Sequence, residues 1–385
     1  MRDSKSIPFA LVALAFSLAL SAGFSHAGVA PDAQWTEIRP ADVEGRLWDD
    51  VECPFDRIPT RMRRALPALW GCGTSSTGQL VDFESDTRNI AVKVKYANDR
   101  FGENNFNFAA FSGFDLYIFD RGRWRWAAAP RHSTKWSRDM THQLLENLPP
   151  GSRRYRLYLP LRNRLLSVAV GTDAKAKTKL IPPRRERPML YYGTSIIHGA
   201  YTIRPGLGLT ARLGRALDYP IVNLGFSGEA KLDPAMAKLM AEKEAGVYVC
   251  DPYHNMDAAN IRANFEKFFD ILCSKRPKTP VILLGAPHRC NVWMWPEKTA
   301  AEEEKTRLFE ELSRKVAARH ANFRYVPGLD NYGDCEWSMD GIHPNDEAFG
   351  NMTKKLTPIL RDALIAAEKG RVGSFHGNST TEIRD

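Results

Sequence analysis

From about Trp35 to Gly171 the apolar residues alternate with polar ones. Ile90, Val92, Val94 and Tyr96 point to one side of an extended segment, and Ala91, Lys93 and Lys95 to the other. A period of two marks a strand with one face in a core. Phe114–Phe119 runs into Asp120-Arg121-Gly122 and then Trp124-Arg125-Trp126, which predicts a strand, a turn and a returning strand. Tyr155–Leu159 and Leu165–Val170 repeat that figure around Arg162-Asn163. Many short strands separated by turn residues predict an antiparallel β-sandwich over residues 28–171.

The period then changes. Residues 172–187 are polar, basic and proline-bearing, and read as a linker. Beyond them short apolar runs alternate with helical stretches. The runs are Met189–Tyr192, Ile221–Leu224, Val247–Cys250, Val281–Leu284 and the weaker Phe323–Val326. Between them, Leu207–Leu217, Pro234–Ala241, Ala258–Cys273 and Ala300–Ala318 carry apolar residues three and four apart, and a last helix spans about Asp346–Glu368. Alternating strand and helix predicts a parallel sheet covered on both faces, over residues 188–368. The tail 369–385 is polar.

The first 27 residues belong to neither pattern. Arg2 and Lys5 precede the apolar stretch Ile7–Ala22, and Ser25-His26-Ala27 offers small residues for cleavage. That is the layout of a secretory signal peptide, and the stretch is short for a membrane span. The expectation is a periplasmic or secreted protein with no stable membrane span after cleavage; a retained N-terminal anchor is the alternative. Export permits disulfides among the six cysteines. Cys53 can pair with Cys72, and Cys290 with Cys335, while Cys250 and Cys273 fall in apolar or helical runs and read as buried thiols. None has C-x-x-C spacing, which argues against zinc. The net charge of +9 is scattered over Arg61–Arg64, Arg121–Arg125, Arg153–Arg156 and Arg184–Arg187. A dispersed cationic surface suits an acidic polymer or the cell envelope. Without a recognisable binding module it argues against nucleic acid.

Candidate chemistry lies at the ends of the predicted parallel strands, where open sheets bind ligands. Ser195 follows the first run in Tyr191-Tyr-Gly-Thr-Ser-Ile-Ile-His-Gly199. It is either a helix cap or a nucleophile. A serine nucleophile needs a base, and Ser338-Met-Asp-Gly-Ile-His343-Pro supplies Asp340 and His343 three apart in a turn before the last helix. Asn223-Leu-Gly-Phe-Ser-Gly228 and Asp251-Pro-Tyr-His-Asn255 follow the second and third runs. There Gly228 offers a backbone N–H and Asn255 an amide for an oxyanion.

Together these four blocks resemble the SGNH, or GDSL-like, hydrolases, in the order of that family and over about residues 188–368. The closest branch has G-x-S-I-x-x-G in its first block and a β-rich domain in front. The resemblance implies a three-layer α/β/α domain needing no metal or cofactor. It implies Ser195 as nucleophile, His343 as base, Asp340 orienting it, and an oxyanion hole of Gly228, Asn255 and the Ser195 N–H. Thr194 stands where the name-giving motif has Asp, and no glycine precedes Asn255 in its block. His198, three residues after Ser195, is a candidate substrate contact or competing base. Exported relatives often deacetylate polysaccharides, so the resemblance implies an esterase acting on acylated carbohydrate. A lipid or thioester acylhydrolase and a non-catalytic glycan-binding envelope protein are the alternatives. Trp293, Trp295 and Trp337 could wall a sugar site or simply pack. Arg204 could bind substrate or pair with a carboxylate at the edge of the core.

Overall fold

The computed structural model describes residues 32–130, 135–328 and 335–370. The predicted signal segment 1–27 and all but two residues of the predicted tail lie outside them. In chain order the front strands are β1 Gln34–Glu37, β2 Leu80–Ser85, β3 Ile90–Tyr96, β4 Asp115–Asp120, β5 Arg123–Ala128, β6 Asp139–Leu145, β7 Arg153–Tyr158, β8 Leu165–Thr172 and β9 Thr178–Ile181. They form two antiparallel sheets, β1-β8-β3-β6 and β5-β4-β7-β2-β9. Val92, Val94 and Val168 of one sheet meet Val81, Phe83, Tyr155 and Leu157 of the other in one core. The alternation in β3 explains this packing: Ile90, Val92, Val94 and Tyr96 enter the core while Lys93 and Lys95 stay exposed.

Strand β9 corrects the expectation of a linker over residues 172–187. Thr178–Ile181 pairs antiparallel with β2, and Leu180 packs against the sandwich core. A four-residue edge strand with one inward apolar side chain leaves too short an alternation to stand out in a polar run. Three short helices, α1 Met62–Ala65, α2 Pro67–Gly73 and α3 Phe108–Phe111, interrupt the front strands.

The second half is built on β10 Met189–Gly193, β11 Ile221–Gly225, β12 Val247–Asp251, β13 Val281–Leu284 and β14 Phe323–Val326. All pair in parallel, in the order β11-β10-β12-β13-β14. Both faces of these strands are apolar, as a sheet covered on two sides requires. Met189, Tyr191, Val247 and Val249 pack against α5 (Leu209–Leu217) and α9 (Asp346–Glu368). Leu190, Tyr192, Tyr248 and Cys250 pack against α6 (Pro234–Met240), α7 (Ala258–Lys275) and α8 (Pro296–Arg319). The result is a three-layer α/β/α arrangement. Its second layer is completed from the front of the chain: Trp48, Ile58, Met62, Leu69 and Trp70 belong to the same core as α7.

The strand order reverses at β10, whose successor β11 lies on one side and β12 on the other. That reversal opens a crevice at the carboxyl end of β10, where ligands bind in sheets of this kind. A four-residue helix, α4 (Ser195–His198), begins there.

Among the described residues one disulfide is present, Cys290–Cys335. Cys53 and Cys72 are not bridged, so the first predicted pairing is corrected; Cys250 and Cys273 are buried thiols. No helix among the described residues is long and apolar enough to cross a membrane.

Candidate active site

The turn from β10 into α4 is tight. A Cβ at position 193 would lie 2.4 Å from Ile197 Cγ1 and 3.0 Å from the Asp251 carbonyl oxygen, so only glycine fits. The Thr194 hydroxyl accepts from the Ile196 N–H and caps α4, and Gly199 closes it with φ of +93°. Capping therefore falls to Thr194, and the Ser195 hydroxyl is left to face another group.

That group is His343. Ser195 Oγ lies 2.7 Å from His343 Nε2, and His343 Nδ1 lies 2.8 Å from Asp340 Oδ2. A carboxylate only accepts, so Nδ1–H donates to Asp340 and Nε2 accepts from the serine hydroxyl. The other carboxylate oxygen accepts from the His343 N–H at 2.9 Å and the Ile342 N–H at 3.1 Å. Burial works against the charge on Asp340. These backbone and imidazole donors outweigh it and hold the carboxyl below its ordinary range.

The segment carrying Asp340 and His343 is fastened at several points. Cys335 is bonded to Cys290, and the Cys290 N–H donates to the Gly341 carbonyl at 2.7 Å. The Asn345 side chain caps α9 by accepting from the Glu347 and Ala348 N–H groups. Tyr201, which the sequence reading passed over, packs its ring 5.3 Å from the His343 ring. Its backbone sits at φ of +63°, costly for a bulky residue, and its N–H is held by the Asn105 carbonyl of the front half at 2.8 Å.

The two other predicted blocks are bonded to this corner. The Phe226 N–H donates to the Gly193 carbonyl at 2.8 Å, and Asn255 Nδ2 donates to the Phe226 carbonyl at 3.2 Å. That leaves Asn255 its second amide hydrogen. Gly228 follows in a turn closed by Glu229 N–H to Phe226 O, with φ of +77°. A Cβ there would meet nothing, so its glycine serves the backbone conformation. Behind the loop stands Arg57, wholly buried and also unforeseen. Its guanidinium donates to the carbonyls of Asn223, Gly225, Cys72 and Ser75 and to the Ser75 hydroxyl. Burial pushes its pKa down to about 9. Nothing local in the sequence distinguishes Arg57 or Tyr201, because their partners lie 15 to 168 positions away.

Two candidate contacts are corrected. His198 is fully buried and faces away from the crevice. Its Nε2 meets the Leu161 carbonyl at 3.1 Å, so it carries the proton there, and Nδ1 accepts from Ser227 Oγ at 3.1 Å. Burial first, then the charges of Arg57 and Arg162, hold it well below the usual histidine range. A neutral, enclosed ring with both nitrogens engaged meets no substrate. Arg204 pairs with Asp115, at 2.9 and 2.7 Å to its two oxygens, and donates to Tyr117 Oη at 3.0 Å. Of the two readings of Arg204, the carboxylate partner is the one found. Trp293 is 76% exposed and Trp295 37% exposed, with Lys298 Nζ lying 3.7 Å from the Trp295 ring centroid; Trp337 is half-buried.

A parallel five-stranded α/β/α sheet with a serine at its switch point and a D-x-x-H turn beside it defines a class, the serine hydrolases of SGNH type. Residues 186–361 match the model of the GDSL-like lipase/acylhydrolase family, and residues 33–178 match GxDLY, the N-terminus of SGNH-hydrolase-type esterases. The chain belongs to that family and is an ester hydrolase. The GxDLY sequence is Gly113-Phe-Asp-Leu-Tyr117, whose Asp115 and Tyr117 are the partners of Arg204. Among solved structures, a Bacteroides ovatus protein described as a GDSL-like lipase is 26% identical, with a TM-score of 0.80 over 86% of this chain and 98% of its own. The salicylyl-acyltransferase SsfX3 of a tetracycline biosynthetic pathway is 18% identical, with a TM-score of 0.67 over 88% and 98%. A family two carbohydrate esterase from Cellvibrio japonicus is 13% identical, with a TM-score of 0.54 over 86% and 99%. The last two share the fold. A search of curated proteins returned no match.

Proposed function

We propose that the chain is an exported serine esterase that removes O-acetyl or similar small acyl groups from carbohydrate. The observation that carries this reading is the continuous Ser195–His343–Asp340 chain of hydrogen bonds at the sheet's switch point. Ser195 Oγ attacks the ester carbonyl carbon as its proton passes to His343 Nε2. The oxyanion accepts from the N–H groups of Ser195 and Gly228 and from the free hydrogen of Asn255. Collapse expels the sugar oxygen, which takes the proton from His343 and leaves an acetyl-serine. Water then attacks that ester, giving its proton to His343, and the carboxylic acid departs as the serine is restored. Asp340 holds the imidazole in the tautomer both steps need.

Carbohydrate is favoured by the predicted export, and the exposed indoles of Trp293 and Trp295, in the loop after β13, suit a sugar face. A second reading, lipid acyl ester, draws on apolar side chains exposed in that loop and beside Asp340: Trp293, Met294 and Met339 expose 76%, 49% and 56% of their surface. Hydrolysis of p-nitrophenyl acetate, p-nitrophenyl palmitate and a panel of acetylated plant and algal polysaccharides separates the two. Acetate release from a polysaccharide, with little palmitate turnover, is expected. Palmitate preference would establish the lipid reading. No turnover of any of these, with glycan binding retained, would leave a binding protein.

A further inference from the structure

The front half holds a cavity of about 480 Å³, lined by Gly71, Cys72 and Ser75 on one side and by Asn98, Glu103 and Arg162 among those on the other. Its volume falls in the range of small-ligand sites, about 300–1,000 Å³. Two of its lining residues touch elements that carry the site. Cys72 Sγ lies 3.6 Å from the carbonyl of Ser227, the residue before Gly228. Ser75 Oγ lies 3.3 Å from His198 Nε2, on the same four-residue helix as Ser195. So its wall touches both the loop that carries Gly228 and the helix that carries the Ser195 hydroxyl.

The lining is polar and balanced. Glu103 is clamped between Arg162, at 3.0 Å, and Arg100, at 3.0 Å. With Asp99 also on the wall, two guanidinium groups face two carboxylates. Such a lining presents donors and acceptors together without a net charge to attract an ion, although the whole chain carries +9. Neutral hydroxyl-rich ligands match it; uronates and lipid tails do not. We infer that this cavity is the subsite for the saccharide portion of the ester, a neutral sugar unit carried by the front half and lying beside the unit that bears the acyl group. The inference rests on the carbohydrate-esterase reading and gives the front half a part in recognition.

Gly71 makes it testable. It ends one wall of the cavity in helix α2, and a Cβ built on it meets nothing within 4 Å. Gly71→Trp therefore adds bulk at the cavity wall without displacing the fold, and a thermal melt checks that. The quantity read is kcat/KM on acetylated xylo-, manno- or cello-oligosaccharides divided by kcat/KM on p-nitrophenyl acetate. Gly71→Trp is expected to lower that ratio at least tenfold, mainly through KM, and Arg162→Gln, which removes donors without adding bulk, to lower it in the same direction. Saccharide turnover with a ratio within twofold of wild type in both variants would overturn the subsite and leave the proposed function standing. Turnover of p-nitrophenyl acetate with none of any acetylated saccharide would overturn both.

Discussion

Ser195 and His198 stand three residues apart and face opposite environments. One hydroxyl opens into the crevice toward His343; one imidazole is sealed between Leu161, Ser75 and Ser227. His343→Ala is accordingly expected to lower kcat on p-nitrophenyl acetate by about 10⁶-fold, as removal of the base from a triad does. His198→Ala is expected to cost far less in kcat and more in melting temperature. The reverse ranking would make His198 the base. His254 is buried as well. Desolvation, then the charges of Lys305 and Arg289, pushes its pKa down to about 3 from the ordinary histidine value near 6.5. Below pH 6.5 the unfolded chain takes up a proton that the folded imidazole refuses, so this residue subtracts stability as pH falls, until the folded group titrates too. The stability advantage of wild type over His254→Gln is therefore expected to shrink by up to about 1.4 kcal/mol per pH unit below 6.5. Urea melts at pH 7.5 and 5.0 measure it, and a gap that widens in acid would contradict it.

The catalytic turn is an element held by its neighbours more than by itself. The Cys290–Cys335 bond spans 45 residues, and the chain-entropy account gives it about 4 kcal/mol. It also joins the two loops at the point where Cys290 donates to Gly341. Cys335→Ser is expected to lower the melting temperature by several degrees and to reduce kcat, because the Asp340–His343 turn loses its anchor; unchanged kcat would show that Asn345 and α9 hold the turn alone. At this scale much was legible in the sequence. The parallel strands announced themselves as short apolar runs, and Asp346–Glu368 as a last helix. Strand β9 was not legible because four residues hold too little alternation. Helices α1 and α2 were missed because Met62, Leu69 and Trp70 pack on a core whose other members lie more than a hundred residues later. Ser195 and the D-x-x-H turn stood out as strand-end chemistry. Arg57 and Tyr201 did not, since each bears on the crevice through partners distant in the chain.

The molecule as a whole depends on the meeting of its halves. Asp115 of the GxDLY motif is fully buried and accepts from Arg204, the Gly206 N–H and the Trp126 indole. Its ionised partner Arg204 follows closely on α4, so the motif acts as a latch between the sandwich and the chain leaving the crevice. Removing one member of a buried ion pair costs about 3–5 kcal/mol. Asp115→Ala is expected to lose stability on that order by chemical denaturation, and a loss below about 1 kcal/mol would mean the latch holds little. The proposed mechanism turns on the hydroxyl at the switch point. Treating the protein with a fluorophosphonate and mapping the adduct by mass spectrometry tests it most directly. A single modified residue, Ser195, is expected, with loss of esterase activity in step with labelling. Label on another side chain, or full activity after complete labelling of Ser195, would contradict it.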